Sequence, residues 1–272
     1  MQNKINEIFE KSNTPNTDLT SEDTQVIQTV IKLVDQGQLR VAEKNGPDWI
    51  VNDWVKKAIL LFFKIQKMQL IELEHWNFYD KIPLKKWQGS EGVRVVPQAL
   101  ARFGSFVEKG AILMPSYINI GAYVGANTMV DTWATVGTCA QIGANVHLSG
   151  GVGIGGVLEP AQAQPVIIED DCFLGSRCVV VEGVHLEAGV VLGAGVTITA
   201  STKIIDVTQA SGPLIFKGRV PANSVVIPGS ENKTFAAGTY GVPCALIIGK
   251  RQESTNKKTS LNQALRDFQV SV

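Results

Sequence analysis

From Leu100 to Ile154 an apolar residue returns at every sixth position: Leu100, Phe106, Ile112, Ile118, Val124, Val130, Val136, Ile142, Leu148 and Ile154. The position four residues on is also restricted, to Gly104, Gly110, Ser116, Ala122, Thr128, Ala134 and residues like them. A period of six fits neither the helical repeat of about 3.6 nor the alternation of a long strand. It fits a short strand, a turn and another short strand, wound so that one residue of each hexad points to a common axis. A fixed short period of this kind marks a parallel β-helix.

The rhythm breaks over 156–165 and resumes out of phase at Ile168, Leu174, Val180, Leu186, Leu192, Ile198 and Ile204. It breaks again over 207–218 and closes with Val220 and Val226. These nineteen hexads, three to a coil, predict a prism of about six coils. At about 4.8 Å per stacked strand it stands roughly 30 Å tall. Flat β faces offer no cleft, so a site must come from an edge, an inserted loop or a neighbouring molecule. The two interruptions are therefore candidate site loops.

Residues 1–92 lack the period. Ile5, Ile8 and Phe9 predict a first helix. Thr20 reads as the N-cap of a second, with Val26 to Val34 at helical spacing and Gly37 at its end. Leu39 to Ala42 reads as a short strand and Gly46-Pro47 as a turn. Asp48 to Ile65 reads as an amphipathic helix, and Met68 to Phe78 fits strand or loop. The chain thus divides into an N-terminal α-rich domain (1–92) that caps the coil, a mainly β parallel β-helix (93–230), and a C-terminal strand and helix extension (231–272). Val242 to Ile248 supplies the strand of that extension and Ser260 to Phe268 its helix.

Lys+Arg and Asp+Glu both number 25. The zero net charge argues against a nucleic-acid or anionic-membrane partner. Cys139, Cys172, Cys178 and Cys244 form no C-x-x-C pair and read as buried, reduced thiols. Met1 to Asn13 is too polar for a signal peptide, and no apolar run is long enough for a bilayer. A cytoplasmic protein is expected. His75, His147 and His185 lie far apart in sequence, so no metal site is expected; His147 and His185 are expected at surface corners. Gly150 to Gly156 contains a formal G-x-G-x-x-G, but no helix pattern follows, so it is no dinucleotide fingerprint. Asp131 occupies a slot that is glycine at Gly125 and Gly137 and asparagine at Asn119. Either aspartate simply tolerates the turn, or it is a carboxylate set at an edge facing a partner chain.

Several linked motifs go beyond a generic repeat. They are Arg94-Val95-Val96-Pro97, Leu113-Met114-Pro115-Ser116, Asn119-Ile120-Gly121-Ala122-Tyr123, Met129-Val130-Asp131-Thr132-Trp133, and the run from Asn145 to Pro160. With Leu39 to Lys44 and Val181-Glu182-Gly183-Val184 they resemble the tetrahydrodipicolinate N-succinyltransferase family along nearly the whole chain. The resemblance implies a left-handed coil, an exception to the usual crossover hand, and a homotrimer with sites between subunits. It implies an acyltransferase of diaminopimelate and lysine biosynthesis, with succinyl-CoA as co-substrate, no permanently bound cofactor and a small dicarboxylate as acceptor. It implies substrate contacts by Arg94 and Asp131. Where many relatives carry a glutamate, this chain has Val179.

The chemistry agrees. An ammonium cannot attack a thioester, so a base must remove a proton; Asp131 is the first candidate, as base or orienting partner, and His147 the second. Arg94 suits one carboxylate of the acceptor. Arg177, Lys217 and Arg219 are candidates for a second carboxylate or the CoA phosphates. Backbone N–H groups of the glycine-rich run are candidate donors to a tetrahedral intermediate. The alternatives are a relative using another acyl donor, such as acetyl-CoA, and a non-enzymatic β-helix.

Overall fold

The computed structural model describes residues 1–15, 18–73 and 75–251. The linker and helix expected beyond Arg251 lie outside the described residues. Three helices open the chain: α1 (Gln2–Ser12), α2 (Ser21–Asp35) and α3 (Asp53–Ile65). Thr20 caps α2 reciprocally with Asp23: the Thr20 hydroxyl accepts the Asp23 N–H at 3.1 Å, and the Asp23 carboxylate accepts the Thr20 N–H at 3.0 Å. Lys11 of α1 pairs with the same carboxylate at 2.7 Å. That bond and the Thr20 N–H hold the Asp23 carboxyl down at about 2.

Helix α3 starts later than its apolar pattern suggests. Residues Asp48–Val51 form β2, which pairs antiparallel with β1 (Ala42–Asn45) around Gly46-Pro47. Trp49 and Ile50 therefore belong to a strand, and the strand expected from Leu39 begins only at Ala42. Strands β3 (Gln69–Leu73) and β4 (Trp76–Asp80) form a second hairpin.

From Arg94 onward the chain coils into a left-handed parallel β-helix. Most of its rungs are only two residues long: one side chain points to the axis, the other outward. Among the described residues the first face stacks Arg94–Val95, Ile112–Leu113, Met129–Val130, His147–Leu148, Phe173–Leu174, Val191–Leu192 and the start of Ser224–Phe235. The second face runs from Leu100–Ala101 to Thr197–Ile198, and the third from Phe106–Val107 to Arg219–Val220. The seven, six and six strands make nineteen rungs. Their axis residues, among them Val124, Val136, Leu148, Val180 and Leu192, are buried, except Val95 of the first rung, which is half-buried.

The phase of the first three hexads differs from the sequence reading. Leu100, Phe106 and Ile112 face outward and are half-buried, while Ala101, Val107 and Leu113 fill the axis. The small inward slots are likewise Ser105 and Ala111 rather than Gly104 and Gly110. The edge at Met114–Ser116 is one residue short, which brings Ile118 into phase five residues after Leu113. Two of these outer apolar residues meet the N-terminal domain. Phe106 lies over Gly37, and Leu100 shares a hollow with Trp76 and Phe78. Ile204 is not a rung either; it belongs to Ile204–Asp206, which pairs with Leu214–Phe216 in place of the second interruption.

The N-terminal helices dock on the edge between the second and third faces, where Ile120 and Cys139 join their core. Contact is close at Gly121: a Cβ there would fall 2.8 Å from the Ile59 side chain and 2.9 Å from the Cys139 sulfur. The first interruption leaves this same edge. Fully buried Lys56 of α3 donates to the carbonyls of Pro160 at 3.3 Å and Ala163 at 2.8 Å. The loop therefore ties the two domains together. At the far end a long antiparallel ribbon, Ser224–Phe235 with Gly238–Lys250, begins as the last rung and runs through residue 230. All four cysteines are free and buried. Among the described residues no helix is long and apolar enough to cross a membrane.

Candidate active site

The prism has three edges, and they are built differently. At the third edge, between the third and first faces, side chains bond the backbone of the next coil. Glu108 accepts the Ala126 N–H at 2.7 Å, Asp170 the Ala144 N–H at 2.8 Å, and Glu187 the Ala222 N–H at 3.1 Å. Asn127, Asn145 and Asp171 form a ladder beside them, with bonds of 3.4 and 3.2 Å.

Asp131 stands at the first edge, between the first and second faces. Its backbone N–H continues the ladder to the Leu148 carbonyl at 2.9 Å. Its half-buried carboxylate accepts only from its own neighbour, the Thr132 N–H at 2.6 Å and the Thr132 hydroxyl at 3.1 Å. One carboxylate oxygen thus has no partner among the described residues. Above Asp131 the edge is made of Gly150 and Gly151, and the second-face rung beside it presents Gly153. Gly150, Gly151 and Gly153 are half-buried, and the Gly151 and Gly153 N–H groups continue the ladder to the Thr132 carbonyl at 2.9 Å and the Cys178 carbonyl at 2.8 Å.

On the first face the outward row reads Arg94, Ile112, Met129, His147, Phe173 and Val191 from bottom to top. Arg94 is exposed and two rungs below the level of Asp131, about 10 Å in backbone spacing. His147 is not at a corner. It lies in this row, half-buried and stacked on Phe173 at 4.9 Å with an interplanar angle of 7°. Burial lowers its pKa against the opposing pull of the Asp131 charge, so the imidazole is neutral at neutral pH.

Arg177 belongs to the same edge as Asp131, two coils up; its N–H bonds the Gly150 carbonyl at 3.1 Å. Lys217 and Arg219 do not. Lys217 is exposed in the turn before Arg219. Arg219 lies on the third face, and its guanidinium is taken by Glu187. The structure therefore brings Arg94, Asp131, His147 and Arg177 to one side of the prism and leaves Lys217 and Arg219 apart. Val179 faces outward on the second face, between Gly153 and Thr197.

Sequence reasoning missed a polar cluster where β1 and β2 meet the third face. Glu169 accepts from Trp49 Nε1 at 2.9 Å and Lys44 Nζ at 3.0 Å and bonds His185 Nε2 at 2.9 Å. Burial opposes the charge on Glu169, but those three bonds outweigh it and hold the carboxyl down at about 2. Beside it Arg40 lies over the Tyr123 ring at 3.5 Å and donates to Gln141 at 3.0 Å. His185 is thus a buried structural residue, not a surface corner. The only sequence signal was the clustering of Arg40, Lys44 and Trp49 in one polar hairpin.

Residues 1–65 match a family model described as tetrahydrodipicolinate N-succinyltransferase N-terminal, and 165–200 match the hexapeptide repeat of succinyl-transferase. A 2,3,4,5-tetrahydropyridine-2,6-dicarboxylate N-succinyltransferase of Acinetobacter baylyi is 51% identical over 269 residues, covering 96% of this chain and 97% of the relative. The protein of that name from Sodalis glossinidius is 50% identical over 275 residues, with 98% of each chain covered. A solved Campylobacter jejuni structure, described as a candidate 2,3,4,5-tetrahydropyridine-2-carboxylate N-succinyltransferase, superposes with a TM-score of 0.52 at 17% identity. It covers 89% of this chain and 69% of its own, and supports the fold. Sharing half its residues with such relatives from end to end, the chain belongs to the tetrahydrodipicolinate N-succinyltransferase family.

Proposed function

We propose that this chain transfers the succinyl group of succinyl-CoA to the amine of ring-opened tetrahydrodipicolinate, in diaminopimelate and lysine biosynthesis. The product is N-succinyl-2-amino-6-oxopimelate. The observation that carries the reading is the near full-length identity of about half with relatives bearing that activity in their names. The first edge supplies groups that suit the chemistry.

Asp131 takes a proton from the acceptor ammonium, freeing the nitrogen lone pair to attack the thioester carbonyl. The C–S bond then breaks, the amide forms, and the CoA thiolate leaves and is protonated. The partnerless oxygen of Asp131 is the natural acceptor for the first proton. Neutral His147, in the neighbouring rung, is the second candidate. The Gly151 N–H is already given to the Thr132 carbonyl at 2.9 Å, which leaves the Gly150 N–H as the candidate donor to the oxyanion, and Arg94 matches a carboxylate of the acceptor. The flat β faces of the prism offer no cleft of their own, and a homotrimer completes the site with the face of a neighbour.

The test is thiol release from succinyl-CoA by the purified chain. Release should depend on tetrahydrodipicolinate and run faster with succinyl-CoA than with acetyl-CoA. No release, or faster release from acetyl-CoA, contradicts the reading. Light scattering should give three times the 29.4 kDa chain mass.

A further inference from the structure

We propose that Arg177 selects the acyl donor by pairing with the free carboxylate at the far end of a four-carbon acyl thioester. The inference rests on the succinyl-transfer reading and adds to it the residue that separates a succinyl from an acetyl donor.

The first observation is backbone strain. From the coil of Asp131 upward, the first edge turns through one left-handed residue per coil: Trp133 at φ 60°, Gly151 at 71°, Arg177 at 62° and Gly195 at 74°. Side chains other than glycine, asparagine and aspartate adopt this region at a cost of about 1–2 kcal/mol. The third edge meets the same demand with Asn127, Asn145, Asp171, Gly189 and Asn223. The first edge instead places two of the largest side chains, Trp133 and Arg177, on either side of a glycine. Trp133 is 65% exposed, so core packing does not account for it. Such residues persist where a function requires the side chain at that place.

The second observation is where the Arg177 side chain goes. It folds down along Gly151: a Cβ on that glycine would fall 2.8 Å from Arg177 Cδ, 2.9 Å from Nε and 3.2 Å from Cζ. The guanidinium therefore sits at the level of Gly151, one coil below its own backbone and one coil above Asp131. No carboxylate among the described residues pairs with it.

The third observation is a match of lengths. One coil rises about 4.8 Å. In an extended succinyl group the thioester and carboxylate carbons are about 4 Å apart, by ordinary C–C bond lengths. A thioester carbonyl held over the Asp131 edge thus carries its carboxylate to the height of the guanidinium. Arg94 lies below Asp131 and Arg177 above it, so one cation faces the acceptor and the other the donor.

The experiment measures kcat/KM of the full chain for succinyl-CoA and for acetyl-CoA, each with tetrahydrodipicolinate. In Arg177→Met the succinyl-to-acetyl ratio should fall at least about tenfold, the worth of one charge-assisted bond. Arg177→Lys should fall between that variant and the natural protein. Gly151→Ala, which pushes the arginine off the edge without removing it, should lower the ratio in the same direction. A fall of less than tenfold in Arg177→Met overturns the proposal, whether both rates drop together or neither does. Calorimetric Kd values for the two thioesters give the same ratio without turnover. An inactive natural protein therefore overturns the succinyl-transfer reading, while the binding ratio still decides the role of Arg177.

Discussion

The first and third edges of the prism share one backbone geometry and opposite chemistry. Both turn the chain through left-handed residues between two-residue strands. The third edge fills those positions with glycine, asparagine and aspartate, and ties coil to coil through Glu108, Asp170 and Glu187. Its polar groups are spent on the fold. At the first edge Asp131 holds only Thr132, Trp133 stands in solvent, and Arg177 lies on a glycine with no carboxylate beside it among the described residues. A repeat protein with equivalent coils has no structural reason to leave one edge unsatisfied. That difference supports the proposal that the site lies at the first edge.

The contrast can be broken by substitution. The largest expected effect is at Asp131: Asp131→Asn should lower kcat by about 10²–10⁴, the usual worth of a general base, with the melting temperature unchanged. Steady-state kinetics beside a thermal scan checks it, and a wild-type kcat ends the base assignment. Next is the domain junction. Glu169→Ala strands Lys44, Trp49 and His185 and should cost about 2–3 kcal/mol of stability, read by denaturant titration, with kcat of the folded enzyme preserved.

The same residue gives a pH signature. The folded Glu169 carboxyl sits at about 2, below its ordinary 4.5. Its contribution is therefore complete above about pH 4.5 and is lost as pH falls toward 2. The melting temperature should fall more steeply over that acid range in the natural protein than in Glu169→Gln. The smallest effects sharpen the edge comparison itself. Trp133→Gly should raise stability by about 1 kcal/mol by removing left-handed strain, and Asn145→Leu should lower it by about as much by adding it. Equal signs in the two denaturation curves would mean that the edges do not differ as described.

Much of this was legible in the sequence, for identifiable reasons. The six-residue period exposed the coil because each axis residue must be apolar and each inner turn residue small. Its phase over Leu100 to Leu113 was not legible, because both positions of those rungs are apolar: Leu100 and Ala101, Phe106 and Val107, Ile112 and Leu113. Strand β2 was hidden inside a helical pattern, since Trp49 and Ile50 also fit the face of α3. Asp131 was visible as a departure from glycine in its slot. The approach of Arg177 to Gly151 was not, because the insertion at 156–165 disrupts the eighteen-residue spacing that otherwise aligns Trp133 with Gly151 and Arg177 with Gly195. The Glu169 cluster joins residues more than a hundred positions apart, beyond the reach of any local pattern.

The most direct test of the account is a crystal of the natural protein soaked with CoA and a pimelate analogue of the acceptor. Density should lie along the first edge, with the acceptor between Arg94 and Asp131 and the thiol end of CoA reaching the Gly150–Gly151 stretch. Density confined to the third edge, around Asp171, Asn223 and Arg251, with the first edge empty, would contradict it.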